Sequence, residues 1–281
     1  MVSLAERRRG AEHLETKHGV SERRACQVIG IARSTKRRPS GQPEEARRIR
    51  RVHELTERYP RFGYRKIHSI LRSEGFGIGR EGLRLIRKRE GLQVAKKQRK
   101  RRRLGKSTTA VDHALYPNHV WSYDFVADQT IDGRRLRFLT VIDEFTRESL
   151  WIETARFLNS HDVVRVLGQL IESRGHPGII KSDNGPELVA QHVQDWIAER
   201  GIDTKYIDPG SPWQNGHNES FNGVLRDGCL NRWAFGSVRE ARLVVESWRR
   251  EYNEERPHGA LNQITPAAYA ARVRQKSREA A

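Results

Sequence analysis

Apolar positions recur at helical spacing through the first third of the chain and switch to strand-like alternation near residue 118. Residues 1–38 have the pattern of short helices. Within them Val20–Thr35 reads as a helix, a turn at Gly30 and a second helix opened by polar residues, the local order of a helix-turn-helix. Pro39-Ser40-Gly41-Gln42-Pro43 reads as a linker. Ile49, Val52 and Leu55 then mark one helix, Ile67, Ile70 and Leu71 a second, and Leu83, Leu85 and Ile86 a third. Breakers at Tyr59-Pro60-Arg61-Phe62-Gly63-Tyr64 and Gly75-Phe76-Gly77 separate them, and Gly91 ends the last.

Beyond residue 118, Val120–Val126 alternates, placing Ser122 and Asp124 on one face and Trp121, Tyr123 and Phe125 on the other. Asp132-Gly133 is a hairpin signal, so 136–143 and 150–154 continue as an antiparallel meander. A helix is expected from a Ser160 cap, with Val163, Val166, Leu167, Leu170 and Ile171 as its apolar stripe. Gly178-Ile179-Ile180 leads a short buried strand into Ser182-Asp183. Leu188, Val189, Val193, Trp196 and Ile197 mark another helix, and 202–207 a fifth strand. Three strands, then helix, strand, helix, strand is an α/β order with ligand groups at strand ends. A final helix opens near Gly216, with Asn215, Glu219, Asn222 and Arg226 spaced to share one face. Amide, carboxylate, amide and guanidinium together do not make a core face.

Charge adds a partner to this picture. The 281 residues hold 53 Lys and Arg against 35 Asp and Glu, a net charge of +18. The excess is confined to the front: residues 1–110 carry 32 basic and 11 acidic residues, and the remainder 21 and 24. Such asymmetry points to a polyanion, nucleic acid above all. Residues 96–106 are almost pure cation, expected to stay extended without a partner. Cys26 and Cys229 are too few for a disulfide framework, so a reducing cytoplasm is the expected setting. No apolar run reaches membrane-spanning length, and the first residues lack the apolar core of a signal peptide.

The chemistry concentrates in three acidic residues. Asp124 sits mid-strand among aromatics, where an uncompensated carboxylate is expensive. Asp183 closes the short apolar strand before the tight turn Asn184-Gly185, and Glu219 opens the last helix. Three carboxylates around a pair of hard divalent cations are the chemistry of in-line displacement at phosphorus. Asp128, Asp143, Asp195, Asp203 and Asp208 read as turn or strand-end residues, with Asp143 the best substitute ligand because its strand neighbours that of Asp124.

These residues resemble a known family. Trp121-Ser122-Tyr123-Asp124-Phe125, Val141-Ile142-Asp143-Glu144-Phe145-Thr146-Arg147 and Ser182-Asp183-Asn184-Gly185-Pro186-Glu187 resemble its first three core motifs. Ser211-Pro212-Trp213-Gln214-Asn215-Gly216-His217-Asn218-Glu219 resembles the fourth, with 35 residues between Asp183 and Glu219 and a basic residue, Arg226, seven after the glutamate. Tyr252-Asn253-Glu254-Glu255-Arg256-Pro257-His258 resembles the C-terminal motif, and Tyr59-Pro60-Arg61-Phe62-Gly63-Tyr64-Arg65-Lys66 an upstream helix-turn-helix. The chain is similar, over nearly its full length, to the OrfB-type transposases of bacterial insertion sequences (the IS-three group), whose catalytic core is like that of retroviral integrases.

The resemblance implies an RNase H-like α/β core preceded by small all-α helix-turn-helix modules. The expected division is an N-terminal helical segment (1–42), a DNA-binding module (43–95), a basic linker (96–112), the catalytic core (113–230) and a C-terminal helical extension (231–281). It implies Asp124, Asp183 and Glu219 as catalytic residues and ligands of two Mg²⁺, with Mn²⁺ able to substitute, and cleavage and strand transfer of element ends as the reaction. Asn215 and Arg226 are expected on phosphates, with Arg65, Lys66, Lys96, Lys97, Arg101, Arg102 and Arg103 on DNA. Double-stranded DNA, further copies of the chain and an OrfA product or fusion are the expected partners, in the nucleoid-bearing cytoplasm. The family's OrfA-derived segment and the zinc element of retroviral integrases are not recognisable. The rival readings are a non-catalytic DNA-binding regulator and a metal-dependent nuclease.

Overall fold

The change of period near residue 118 marks a change of architecture: among the described residues, every regular element before it is helical and every strand lies after it. The computed structural model describes residues 4–37, 43–94, 113–183, 191–206 and 215–279. The chain forms two units, Met1–Arg58 and Tyr59–Ala281. The boundary falls inside 43–95, the stretch expected as one module.

The first unit contains α1 (Leu4–His18), α2 (Glu22–Ile29), α3 (Arg33–Arg37) and α4 (Pro43–Arg58). Ser21 caps α2 by accepting from the Arg24 amide, and Gly30 ends it at φ 69°, a left-handed conformation that glycine adopts without strain. The expected helix–turn–helix order is therefore present as α2, Gly30 and α3. A small core of Ala11, Ala25, Cys26 and Ile31 joins them, tied outside by ion pairs from Lys36 to Glu15 and from Arg37 to Glu22.

The second unit is built on one sheet. Strands β1 (Val120–Gln129), β2 (Arg135–Asp143), β3 (Ser149–Ala155), β4 (Ile179–Ser182) and β5 (Asp203–Tyr206) lie in the order β3-β2-β1-β4-β5. β1, β2 and β3 form the antiparallel meander; β4 joins β1 in parallel, and β5 joins β4 in parallel. Alternation along β1 decides the two layers. Trp121 and Tyr123 are buried beneath α7 (Ser160–Arg174) and α8 (Gln191–Ala198) with Val163, Val166, Leu167 and Leu170. On the other face Val126, Phe138 and Ile152 pack against α9 (Gly216–Gly228) and α10 (Val238–Glu254) through Phe221, Leu225, Val245 and Tyr252. Each such buried side chain stabilises by roughly 1.5–3 kcal/mol.

One boundary differs from expectation. Asn159, rather than Ser160, caps α7: its side chain accepts from the His161 and Asp162 amides, and the Asp162 carboxylate accepts from the Asn159 amide. The reciprocal bond of a capping box favours the residue three before Asp162. Leu188, Val189 and Ile207 lie outside the described residues.

Two further helices of this unit, α5 (Tyr64–Ser73) and α6 (Arg80–Arg89), pack through Ile67, Leu71 and Leu83, and the buried Arg87 ties them to the Phe62 and Leu92 carbonyls. They attach to the C-terminal segment that ends in α11 (Pro266–Glu279). Tyr59 donates to Glu255 at 2.9 Å, Ser69 donates to the Gln263 carbonyl at 2.6 Å, and the Arg256 guanidinium lies 4.8 Å from the Phe62 ring centre. Asn253 clasps β3 with both ends of its amide, accepting from the Ser149 N–H at 2.8 Å and donating to its carbonyl at 2.9 Å.

Candidate active site

Asp124 lies mid-strand on β1, Asp183 directly follows β4, and Glu219 occupies the first turn of α9. Because β1 and β4 are parallel neighbours and α9 packs on β1, three elements distant in sequence bring their acidic residues to the region where β4 ends beside the middle of β1. Asp124 is half-buried, Asp183 half-buried and Glu219 exposed. Burial, with the charges of Asp183 and Glu219, pushes the Asp124 carboxyl up to about 6 against the lowering effect of hydrogen bonds from the Phe125 amide and Asn222. Both other carboxylates are thus within electrostatic reach of Asp124.

Helix α9 is held along β1 by its polar face. Asn218 donates to the Tyr123 carbonyl at 3.3 Å, Asn222 Nδ2 to Asp124 Oδ2 at 2.7 Å, and Arg226 to the Ala127 carbonyl at 3.1 Å. Thr140 on β2 supports the same pair, donating to the Asp124 carbonyl at 3.1 Å and lying 3.4 Å from Asn222 Oδ1. Asn215 precedes the helix without capping it, and its Oδ1 is buried without a hydrogen-bond partner. The opposite face of α9 is spent on the core through Phe221 and Leu225. A cavity of about 610 Å³ opens beside Glu219, with Phe62, Arg226, Trp248 and Arg256 among its walls.

Asp143, the substitute ligand, is fully engaged elsewhere. Its carboxylate accepts from the amides of Phe145 at 2.7 Å, Thr146 at 3.1 Å and Asn118 at 2.9 Å, closing the turn after β2 and the approach to β1. It is a turn residue, as its alternative reading held. Among the expected DNA contacts, Arg226 and Asn215 stand with the carboxylates and Arg65 is exposed at the start of α5. Lys66 turns inward instead, 5.0 Å from the Phe62 ring centre, where burial, then the charge of Arg256, pushes its ammonium down to about 8. Lys96, Lys97, Arg101, Arg102 and Arg103 lie outside the described residues.

Glu144 escapes the motif reading of site residues. It is buried to 2% exposure beside Ser122, Lys181 and His217. Its place in the Val141–Arg147 motif, directly after an apolar strand, is the sequence signal that points to it.

The donor set suits a hard cation: three carboxylates, one of them raised by burial and by the charges of the other two, gain from a divalent ion that neutralises their repulsion. Among the described residues, no three His, Cys, Asp or Glu side chains stand close enough to hold one ion between them. The segments 184–190 and 207–214, the first following Asp183 and the second preceding Glu219 in sequence, are outside those residues.

The five-stranded mixed sheet with helices on both faces defines an RNase H-like core of the retroviral integrase type. An integrase core domain model matches residues 114–212, and a second integrase core domain model matches residues 200–266. The chain is 37% identical over 265 residues to the 31.7 kDa protein of insertion element IS407 from Burkholderia multivorans, spanning 93% of this chain and 94% of that one. It is 39% identical over 256 residues to the 39.2 kDa protein of insertion element IS476 from Xanthomonas euvesicatoria, spanning 91% and 74%. A simian T-cell lymphotropic virus intasome, solved in complex with a PP2A regulatory subunit, aligns with TM-score 0.51 at 17% identity, over 78% of this chain and 74% of that one. At that identity the likeness is one of fold. The chain belongs to the insertion-element transposases that carry an integrase core domain.

Proposed function

We propose that the chain is a Mg²⁺-dependent DNA strand-transferase that cleaves insertion-sequence ends and joins them to target DNA. The observation that carries this reading is the convergence on Asp124, half-buried and held by Asn222, of Asp183 from the neighbouring parallel strand and Glu219 from α9. Asp124, Asp183 and Glu219 would hold two Mg²⁺, with Mn²⁺ as a substitute. Bound there, the ions supply Lewis-acid activation of the attacking oxygen and neutralise charge at the leaving one.

In the first step water attacks the phosphorus at the element end and the 3′-oxygen leaves, taking a proton to become a free 3′-hydroxyl. In the second that hydroxyl attacks a target phosphodiester, losing its proton as the target's 3′-oxygen leaves. Neither step calls for a covalent protein–DNA bond. Asn222 fixes the Asp124 carboxylate. Arg226 and Asn215 orient phosphates beside Glu219, where the adjoining cavity offers room for a strand. The basic first 110 residues supply affinity for double-stranded DNA, with α2–α3 and the exposed Arg65 gripping element ends and 96–112 tracking the backbone. The chain acts as an oligomer on DNA, with an OrfA product as partner or fusion, in the cytoplasm.

Pre-cut element ends, target DNA and Mg²⁺ test the reading on one gel. Joined products are expected. Cut but unjoined DNA would identify a nuclease instead, and bound but unaltered DNA a regulator.

A further inference from the structure

We propose that Glu144 is a positioning residue that sets the three carboxylates in register and occupies the buried Lys181 beside them. The proposal rests on reading Asp124, Asp183 and Glu219 as a single site. Glu144 follows β2 directly and is buried to 2% exposure. Its amide donates to the Val120 carbonyl at 3.0 Å, which fixes the backbone against the start of β1. Its Oε1 accepts from Ser122 Oγ on β1 and from Lys181 Nζ on β4, the latter at 3.3 Å. Its Oε2 has no hydrogen-bond partner and lies 3.8 Å from His217 Nε2 in the first turn of α9.

The three contacts share a spacing. Ser122 stands two residues before Asp124, Lys181 two before Asp183, and His217 two before Glu219. Residues i and i+2 of a strand share a face, and Ser122 and Lys181 are paired across β1 and β4. Tying those two side chains to one carboxylate therefore fixes how Asp124 and Asp183 face each other. His217, whose ring is bonded by Arg147, stands 3.8 Å from the same carboxylate and so places the start of α9 beside the anchor. A buried carboxylate that touches all three elements just upstream of their acidic residues is placed to hold those residues in register.

Charge gives Glu144 a second task. Lys181 is 9% exposed, and Glu144 is its ion-pair partner. Without that partner, a buried ammonium two residues from Asp183 would turn to the site's own carboxylates and compete with a cation for them. The tie and the pairing act in the same direction: both leave Asp124, Asp183 and Glu219 free for a divalent ion. Supporting residues of this kind commonly change metal affinity by about 10- to 100-fold.

The test measures Mn²⁺ binding to the full-length chain by the paramagnetic resonance of free Mn²⁺, with circular dichroism and DNA binding followed alongside. Glu144→Gln is expected to weaken Mn²⁺ by about 10-fold or more while DNA affinity holds. Adding Lys181→Gln, which removes the competing ammonium, is expected to recover most of that loss, a rescue that a purely structural role would not give. Wild-type Mn²⁺ affinity in Glu144→Gln, or no recovery in the double variant, overturns the proposal. Should Glu144→Gln not fold, Ser122→Ala cuts the β1 tie and keeps the ion pair; it is expected to weaken Mn²⁺ in the same direction, and an unchanged affinity overturns the proposal equally. Unchanged Mn²⁺ affinity in Asp183→Asn would instead remove the underlying reading of the site, so the two failures are distinct.

Discussion

Asn222 on α9 donates a hydrogen bond to Asp124 on β1, Nδ2 to Oδ2 at 2.7 Å. The bond joins the helix that carries Glu219 to the strand that carries Asp124, and it lowers the Asp124 carboxyl against the upward push of burial. Asn222→Ala is therefore expected to move the acid limb of the pH–rate profile for DNA joining upward, because ionising Asp124 to accept a cation becomes harder. The rate at neutral pH should fall by about 10- to 100-fold with DNA affinity retained. An acid limb that stays in place would show that Asn222 does not govern Asp124.

Asn253 predicts a stability effect remote from the carboxylates. It bonds both backbone groups of Ser149 at the start of β3; truncation leaves the buried N–H without that partner, while the carbonyl keeps its bond from Arg249 at 2.9 Å. Asn253→Ala should cost about 1–3 kcal/mol in urea unfolding. A loss below 0.5 kcal/mol, about that of an ordinary surface change, would count against the clasp.

Lys66 gives a prediction with a sign. Its folded pKa of about 8 lies below the ordinary lysine value of 10.5, so its contribution to stability is present above pH 10.5 and lost as pH falls through 8. At pH 7 the charged ammonium is a burden, and Lys66→Met should stabilise the chain by about 1–3 kcal/mol, a gain that vanishes towards pH 10.5. Its inward packing also predicts that Lys66→Met leaves DNA affinity within about twofold, whereas Arg65→Ala, exposed on α5, lowers it. Thermal melts at both pH values and a DNA titration check this.

His258 should make the chain acid-sensitive. Burial, then the charges of Arg147, Lys66 and Arg256, pushes its imidazole down from 6.5 to about 4. The unfolded chain therefore takes up the proton first, and stability falls between pH 6.5 and 4. His258→Gln is expected to flatten this part of the melting-temperature profile, recovering about 1–3 kcal/mol at pH 4. An identical slope in the variant would assign the acid loss to other groups.

Much of this architecture is legible in the residues themselves. Alternation along Val120–Val126 separates Trp121 and Tyr123 from Ser122 and Asp124, and the two sheet faces keep that division. Spacing places Glu219, Asn222 and Arg226 on one helical face, and two of them bond to β1. What periodicity cannot reveal is pairing between distant segments. Nothing local tells that Arg256 meets Phe62, or that Asn253 meets Ser149, since these contacts arise only when the C-terminal segment returns to α5 and β3. Glu144 is hidden for the same reason: its three partners come from three elements. The Asn159 cap is missed by one residue because Asn159 and Ser160 are both good caps, and only the reciprocal bond with Asp162 chooses between them.

The central claim is that Asp124, Asp183 and Glu219 act as one metal-dependent site for phosphoryl transfer. It is tested most directly by Asp183→Asn in the joining assay with pre-cut ends, target DNA and Mg²⁺, with DNA binding measured in parallel. The account predicts that joining is abolished while DNA is still bound. Full strand transfer by Asp183→Asn would contradict it.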